Sequence, residues 1–499
     1  MNILLVYPQY PDTYWSFRHA LRFISKKAAV PPLGLITVSA MLPATWQKKL
    51  VDLNVSPLVP KDIGWADFVF ISAMCVQQES VDNVLAECVR CKAKVIAGGP
   101  LFTQESDNYP QIDHFILNEA EVTLPLFLED LASGRPLQKK YSTDQYAAMS
   151  SSPIPDYHLL NRKSYASMNI QVSRGCPFAC DFCEITTLLG HEVRMKGTNQ
   201  VLNELQTLYD LKWRGPVSIV DDNFIGKKQE VKNNLLPAMK KWMQAHHYPF
   251  EFGIQSSINL ADDDELMRLM VETGFNHTFV GIETPDKQSL KECNKVQNNN
   301  RDLLQSVKKI QRAGMQVSGG FIVGFDSDLP TVFQRQIDFI QQSGIVSAMV
   351  GLLNAPRNTK LYNRLVSENR LTNGSTGNNT DFSMNFIPKM NASELLEGYK
   401  KVIRSIYETK PYYKRIRQFL LNYKRPRPKQ TRIEFSYVSA FVKSVVIIGI
   451  VSKGRGEFWK FFVWMLVNRP GSFIDAMIFT VYGYHYRTVY RLTGKQSQL

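Results

Sequence analysis

Ile170-Gln171-Val172-Ser173-Arg174-Gly175-Cys176-Pro177-Phe178-Ala179-Cys180-Asp181-Phe182-Cys183 places three thiols within eight residues, directly after a short apolar run. The run predicts a strand, and Gly175 and Pro177 predict a loop behind it. Three thiolates on so short a loop can converge on three irons of a cubane, and thiolate is the soft donor that iron–sulfur clusters take. The fourth iron then has no protein ligand and can coordinate a small molecule. The alternatives are three unrelated thiols or a zinc site; zinc would want a fourth Cys or His at matching spacing, and neither Cys293 nor His191 forms an obvious knuckle with the loop.

Downstream of this loop, strand-like runs at 170–173, 217–221, 250–255, 278–283, 317–323 and 348–353 alternate with amphipathic segments of helical length at 199–211, 231–245, 263–272, 302–313 and 332–342. Six such βα units predict an incomplete barrel with its chemistry at the strand C-termini. Upstream, β-branched runs at 3–7, 50–53, 68–72, 95–98 and 114–117 are separated by helix-length segments, the pattern of an α/β domain with a parallel sheet. Several of these runs end in turn-forming or polar residues: Tyr7-Pro8, Ser72-Ala73, Gly98-Gly99-Pro100 and Asn118-Glu119. Open sheets of this kind bind ligands beyond the carboxyl ends of their strands. The expected division is a Rossmann-like domain at 1–140, a linker at 141–165, a partial (β/α)6 barrel at 166–370 and an α-helical domain at 371–499.

Length and composition agree with several compact modules: 499 residues exceed one core, and 44% hydrophobic with 21% charged residues is ordinary for globular chains. Seven cysteines, three of them crowded into one loop, do not make a secreted disulfide framework, so a reducing cytoplasm is expected. Met-Asn-Ile-Leu-Leu-Val-Tyr at the start has no basic region ahead of an apolar one and reads as a strand, not a signal peptide. The net charge of +14 is partly local, since 401–432 holds eleven Lys or Arg against the single acid Glu408. The apolar runs at 435–451 and 458–467 are interrupted by Lys443 and Lys460 and fall short of the ~20 residues of a spanning helix.

The CxxxCxxC motif at the end of the first barrel strand resembles the signature of the radical S-adenosylmethionine (SAM) superfamily. That resemblance implies a [4Fe–4S] cluster on Cys176, Cys180 and Cys183, SAM chelated on the fourth iron, and cleavage of SAM to methionine and a 5′-deoxyadenosyl radical. It also implies Phe182 near the adenine, Asp222 and Asn223 at the second strand end beside the SAM amino group, and Gln255 and Ser256 at the third strand end. Glu283 and Gly324 complete the implied SAM contacts at the fourth and fifth. For Glu283 the alternative is a rim carboxylate paired with Lys or Arg; for the glycines it is close strand packing or a bulge.

The α/β domain ahead of the barrel, with Pro31-Pro32-Leu33-Gly34-Leu35 and Gly98-Gly99-Pro100, resembles the cobalamin-binding domain of the B12-dependent radical SAM class. Ser72, Ala73, Met74, Gly98, Gly99, Pro100 and Glu119 are then expected on cobalamin-facing loops. The D-x-H-x-x-G segment is absent, so no axial His is expected from this chain; the alternative is a structural or substrate-binding domain. Cys75, Cys88 and Cys91 read as structural thiols.

Asp221-Asp222-Asn223, Gly281-Ile282-Glu283 and the helical extension make the chain similar to the subgroup containing hopanoid C-2 methylases. The implied reaction is methylation of an unactivated carbon of a small or lipid-like substrate. A low-potential donor such as flavodoxin or ferredoxin would supply electrons, and no nucleic acid is expected. The alternatives are a cobalamin radical enzyme without methyl transfer, a tRNA methylthiotransferase-like enzyme, or a cobalamin- or redox-sensing binding protein. Tyr412, Tyr413, Lys414, Arg415, Arg417, Phe458, Trp459, Phe461, Phe462 and Trp464 suit an interfacial helix that makes the protein peripheral to the inner membrane face. The alternative is a helix that packs its aromatics onto the barrel.

Overall fold

The computed structural model describes residues 1–372, 376–378, 380–423 and 435–496; the part of the basic stretch at 424–432 lies outside them. In the first domain β1 (Asn2–Tyr7), β2 (Gln47–Asp52), β3 (Phe68–Ser72), β4 (Val95–Gly98), β5 (His114–Ile116) and β6 (Lys140–Tyr141) form one parallel sheet in the order β2-β1-β3-β4-β5-β6. Ile3, Leu4, Leu5 and Val6 of β1 are fully buried, because helices cover both faces and a continuous apolar run serves where alternation would not. The order of the strands reverses between β1 and β3, which makes the loops after those two strands the switch point where such sheets take ligands. Five strands were expected; β6 lies at the border of the expected linker and is too short to carry a periodic signal.

The second sheet is also parallel, in the order β14-β13-β12-β11-β10-β7. Its members are β7 (Met168–Ile170), β10 (Gly215–Ile219), β11 (Phe250–Ser256), β12 (Phe275–Glu283), β13 (Gln316–Val323) and β14 (Ala348–Leu352). β7 ends at Ile170, three residues before the expected end, and a separate antiparallel pair, β8 (Ser173–Arg174) with β9 (Arg194–Met195), frames the loop that carries the three thiols. The six strands leave a barrel open between β7 and β14.

That open edge is capped by the C-terminal helices. Carbonyls along the edge strand would otherwise lack partners. Tyr399 Oη donates to Val350 O at 3.0 Å, Tyr407 Oη to Ala348 O at 2.5 Å and Arg415 Nη2 to Val346 O at 3.3 Å. Tyr399, Tyr407 and Arg415 lie on the helices Ala392–Tyr407 and Thr409–Asn422 of the expected helical domain, which continues through Phe435–Ser444, Arg455–Asn468 and Phe473–Gln496. Tyr14 of the first domain stacks on Tyr486 of the last helix, with ring centroids 4.5 Å apart.

These contacts correct half of the expected interfacial set. Tyr412, Tyr413, Arg415, Phe458 and Phe461 are buried, and among the aromatics named only Trp459 is exposed. Among the described residues no helix is long and apolar enough to cross a membrane.

Candidate active site

The cluster loop is anchored at both ends by the barrel. Asp221, just beyond β10, is fully buried and accepts from Val172 N at 2.7 Å and from Ser173 Oγ at 2.6 Å, which fixes the end of the preceding strand where the loop departs. Beneath the loop, the segment after β12 supports its backbone: Asp181 N donates to Cys293 O at 3.1 Å and Asn294 Nδ2 to Ala179 O at 2.9 Å. Gln297 Nε2 lies 3.6 Å from Cys180 Sγ.

Cys180 stands near enough to Cys176 and Cys183 to raise the pKa of both thiols. Burial raises the Cys183 thiol to about 12 and also raises Cys176. Thiols held up by burial in this way ionise when a cation takes the proton's place. Among the described residues no three Cys, His, Asp or Glu side chains are grouped as a single metal ion would need. A cubane spreads its three thiolate ligands more widely than one ion does, and the all-sulfur donor set is the one it takes.

Lys295 is the cation of this site. Its Nζ lies 2.6 Å from Glu283 Oε1 and 5.8 Å from the centroid of the Phe182 ring. Burial alone would lower its pKa, but Glu283 and the thiols of Cys180 and Cys183 outweigh burial and raise it. A side chain at Gly281 would overlap both members of the pair, its Cβ coming within 2.9 Å of Lys295 Nζ. Glu283 is thus the rim carboxylate paired with a lysine, the alternative held open for it.

Asp222 stands among negative neighbours. Burial, then Asp221 and Glu184, push its carboxyl up to about 7, and it also acts on Cys176. A half-buried carboxyl beside two others, at the edge of the thiol loop, ionises most readily when a cation rests beside it. Asn223 Oδ1 accepts from Ser257 N at 3.2 Å and from Ser257 Oγ at 3.3 Å, tying the second strand end to the third. Gln255 alternates with the buried Ile254 and Ser256, so it projects into the barrel rather than against the helices. Phe182 packs in an apolar cluster with Phe325, Ile322 and Cys293.

Two expected contacts are placed differently. Ser256 points to the helix side, where its hydroxyl is 2.8 Å from Thr278 Oγ1. Glu119, just beyond β5, is buried: it pairs with Arg194 at 2.6 Å and 2.8 Å and accepts from Ala147 N at 2.8 Å. Gly324 has φ +108° and donates its amide to Asp328 Oδ2 at 2.8 Å, with Leu395 and Met384 crowding its missing side chain.

Contacts across the domains bring the two ligand edges together. Arg174 grips Glu121 with two bonds of 2.9 Å and 2.7 Å and approaches Glu119 at 3.4 Å. Gln104 Nε2 donates to Glu184 Oε2 at 2.9 Å, and Arg357, past β14, lies 3.7 Å from Glu105. On the first-domain side Gly99 takes φ +93°, and a Cβ there would lie 2.8 Å from Ser72 Oγ and 3.2 Å from Ala73 O. The loops after β3 and β4 therefore pack directly against one another, beside the exposed Met74, whose sulfur accepts from Tyr10 Oη at 3.4 Å. The histidines of this domain lie elsewhere: His19 beside Asp12, and His114 at the far end of β5 with Nδ1 at 2.7 Å from Gln138 O.

Sequence reading missed Lys295, Arg174, Arg194, Glu121 and Gln297. The polar run 291–300 after the fourth strand, lacking any helical period, was the one signal that pointed to a built loop there.

Comparison with known proteins agrees with this geometry. Residues 170–332 match the Radical SAM superfamily, and residues 359–498 match a domain of unknown function (DUF4070). The chain is 38% identical to an uncharacterized methyltransferase of Synechocystis over 97% of its own length and 91% of that protein. It is 30% identical to the hopanoid C-2 methylase of Rhodopseudomonas palustris over 97% of its own length and 92% of the relative. Its fold is shared with the radical SAM methyltransferase TsrM of Kitasatospora setae, solved with cobalamin and a [4Fe–4S] cluster, at a TM-score of 0.62 and 12% identity, covering 93% of this chain and 99% of that one.

Proposed function

Because this chain belongs to the family of radical SAM methyltransferases that includes hopanoid C-2 methylase, we propose that it is a cobalamin-dependent C-methyltransferase acting on an unactivated carbon of a small or lipid-like substrate. The observation that carries the reading is the face-to-face arrangement of the two sheet edges, joined through Glu119, Glu121, Arg174 and Arg194. Ligands held on the two edges would share one chamber. Cys176, Cys180 and Cys183 would hold the cluster, Asp222, Asn223 and Gln255 would meet SAM, and Ser72, Ala73, Met74, Gly98, Gly99 and Pro100 would line the corrinoid side. When bound, the cluster and SAM supply a carbon radical that removes hydrogen, and cobalamin supplies the methyl group.

The protein's own part is positional. Asp222 offers a half-buried carboxyl that a cationic ligand would hold ionised, and Lys295 with Glu283 sets the charge beneath Phe182 and the thiol loop. The apolar packing of Phe182, Phe325 and Ile322 keeps water from that wall. No conspicuous acid or base is required of the chain. A reductant of the flavodoxin or ferredoxin class would deliver electrons.

The test is anaerobic reconstitution with iron, sulfide and methylcobalamin, followed by incubation with SAM, a reductant and a lipid and metabolite extract from a strain lacking the protein. The reading expects 5′-deoxyadenosine together with products heavier by one CH2 unit. 5′-Deoxyadenosine formed without any methylated product would overturn the methyl-transfer assignment.

A further inference from the structure

The helix Phe435–Ser444 runs on through the π-helical stretch Val445–Val451, turns at 452–454 and returns as the helix Arg455–Asn468, so that the two arms form a hairpin in the helical domain. Val438, Val442, Val446 and Ile450 recur every fourth residue along its first arm and are 46, 53, 45 and 57% exposed. On the second arm Trp459, Val463 and Val467 are 41, 58 and 75% exposed. The arms lie side by side, with the Phe441 and Phe462 rings 6.1 Å apart and Trp459 Nε1 donating to Gly449 O at 2.9 Å. Branched aliphatics are indifferent helix formers, so a row of exposed valines has no local reason. A contiguous apolar face of this kind marks a surface that is covered in use.

The charges around it say by what. Between residues 435 and 470 there are five Lys or Arg and one acid, Glu457; Lys443 bonds Ser25 Oγ at 2.9 Å, Arg469 bonds Leu421 O at 2.9 Å, and Lys460 takes Glu457 at 2.9 Å while staying largely exposed itself. Lys453 and Arg455 stand exposed at the turn between the arms. A second copy of the chain would set this basic rim against itself. An apolar stripe edged with cations, on helices too short to cross a bilayer, is the chemistry of the interface between acyl chains and anionic headgroups. We propose that the outer face of this hairpin docks the protein onto an anionic lipid bilayer. The inference goes beyond the methyltransferase reading and stands whatever the chamber catalyses.

The full-length protein, carrying its cofactors, is floated with vesicles of phosphatidylcholine mixed with phosphatidylglycerol and with vesicles of phosphatidylcholine alone. It is expected to float with the mixed vesicles, and Val442→Asp or Val463→Asp is expected to weaken partitioning about tenfold each without changing the melting temperature. Brominated lipids are expected to quench tryptophan emission in the parent protein more than in Trp459→Phe, a readout that needs no destabilised variant. Absence of flotation, flotation that ignores both aspartate variants, or a dimer that they dissociate while no vesicle is bound would each overturn the proposal.

Discussion

Asp326, just past β13, gathers Arg364 at 2.7 Å, Arg370 at 2.7 Å and Lys389 at 3.6 Å around one carboxylate. Burial alone would raise its pKa, but hydrogen bonds from Arg370 and Arg364 bring it down to about 2. The unfolded value is about 3.9, so the stabilisation is complete above that value and is lost as pH falls toward the folded one. Asp326→Asn should therefore cost about 2 kcal/mol at neutral pH and less at pH ~3, measured by urea unfolding; an equal cost at both would contradict the assignment. Gly99→Ala should cost ~1–3 kcal/mol through its left-handed backbone and its collision with the Ser72-Ala73 loop, seen as a lower melting temperature. The thiol trio and Gly99 were legible because their residue types have few other uses at such spacings. Lys295 and Arg194 were not, since a lone cation in a polar stretch shows its purpose only when folding supplies its carboxylate.

Among the elements, the parallel strands were readable to within a few residues because burial on both faces demands unbroken apolar runs. β6, β8 and β9 span two residues each and escaped. The aromatic helices were readable as helices but not in orientation: Tyr412 and Tyr413 stand beside basic residues just as an interfacial helix would have them, yet both are buried, Tyr412 donating to Phe479 O of the last helix at 2.7 Å, while Tyr399 and Tyr407 turn inward to cap carbonyls of β14. The β8–β9 pair rests on the bond between the buried Glu119 and the half-buried Arg194. Arg194→Met leaves Glu119 a buried charge with a weaker partner and should destabilise the protein by about 3–5 kcal/mol. Hydrogen exchange should show lost protection at 173–195, and Glu119→Gln added to Arg194→Met should recover part of the loss. Unchanged exchange there would mean that the β8–β9 pair is held by other contacts.

For the whole molecule, the sequence indicated three modules but not how they face. Charges decide that: carboxylates beyond β5 meet arginines beside the thiol loop, and the two carboxyl edges close on a common space. The central claim is that three thiols in that space leave one iron open to SAM. The most direct measurement is the electron paramagnetic resonance spectrum of the anaerobically reconstituted, reduced protein before and after SAM is added. A [4Fe–4S] signal that shifts on adding SAM in the parent protein, and is lost in Cys180→Ala, is the result predicted. A cubane signal indifferent to SAM, or zinc in place of iron, would contradict the account.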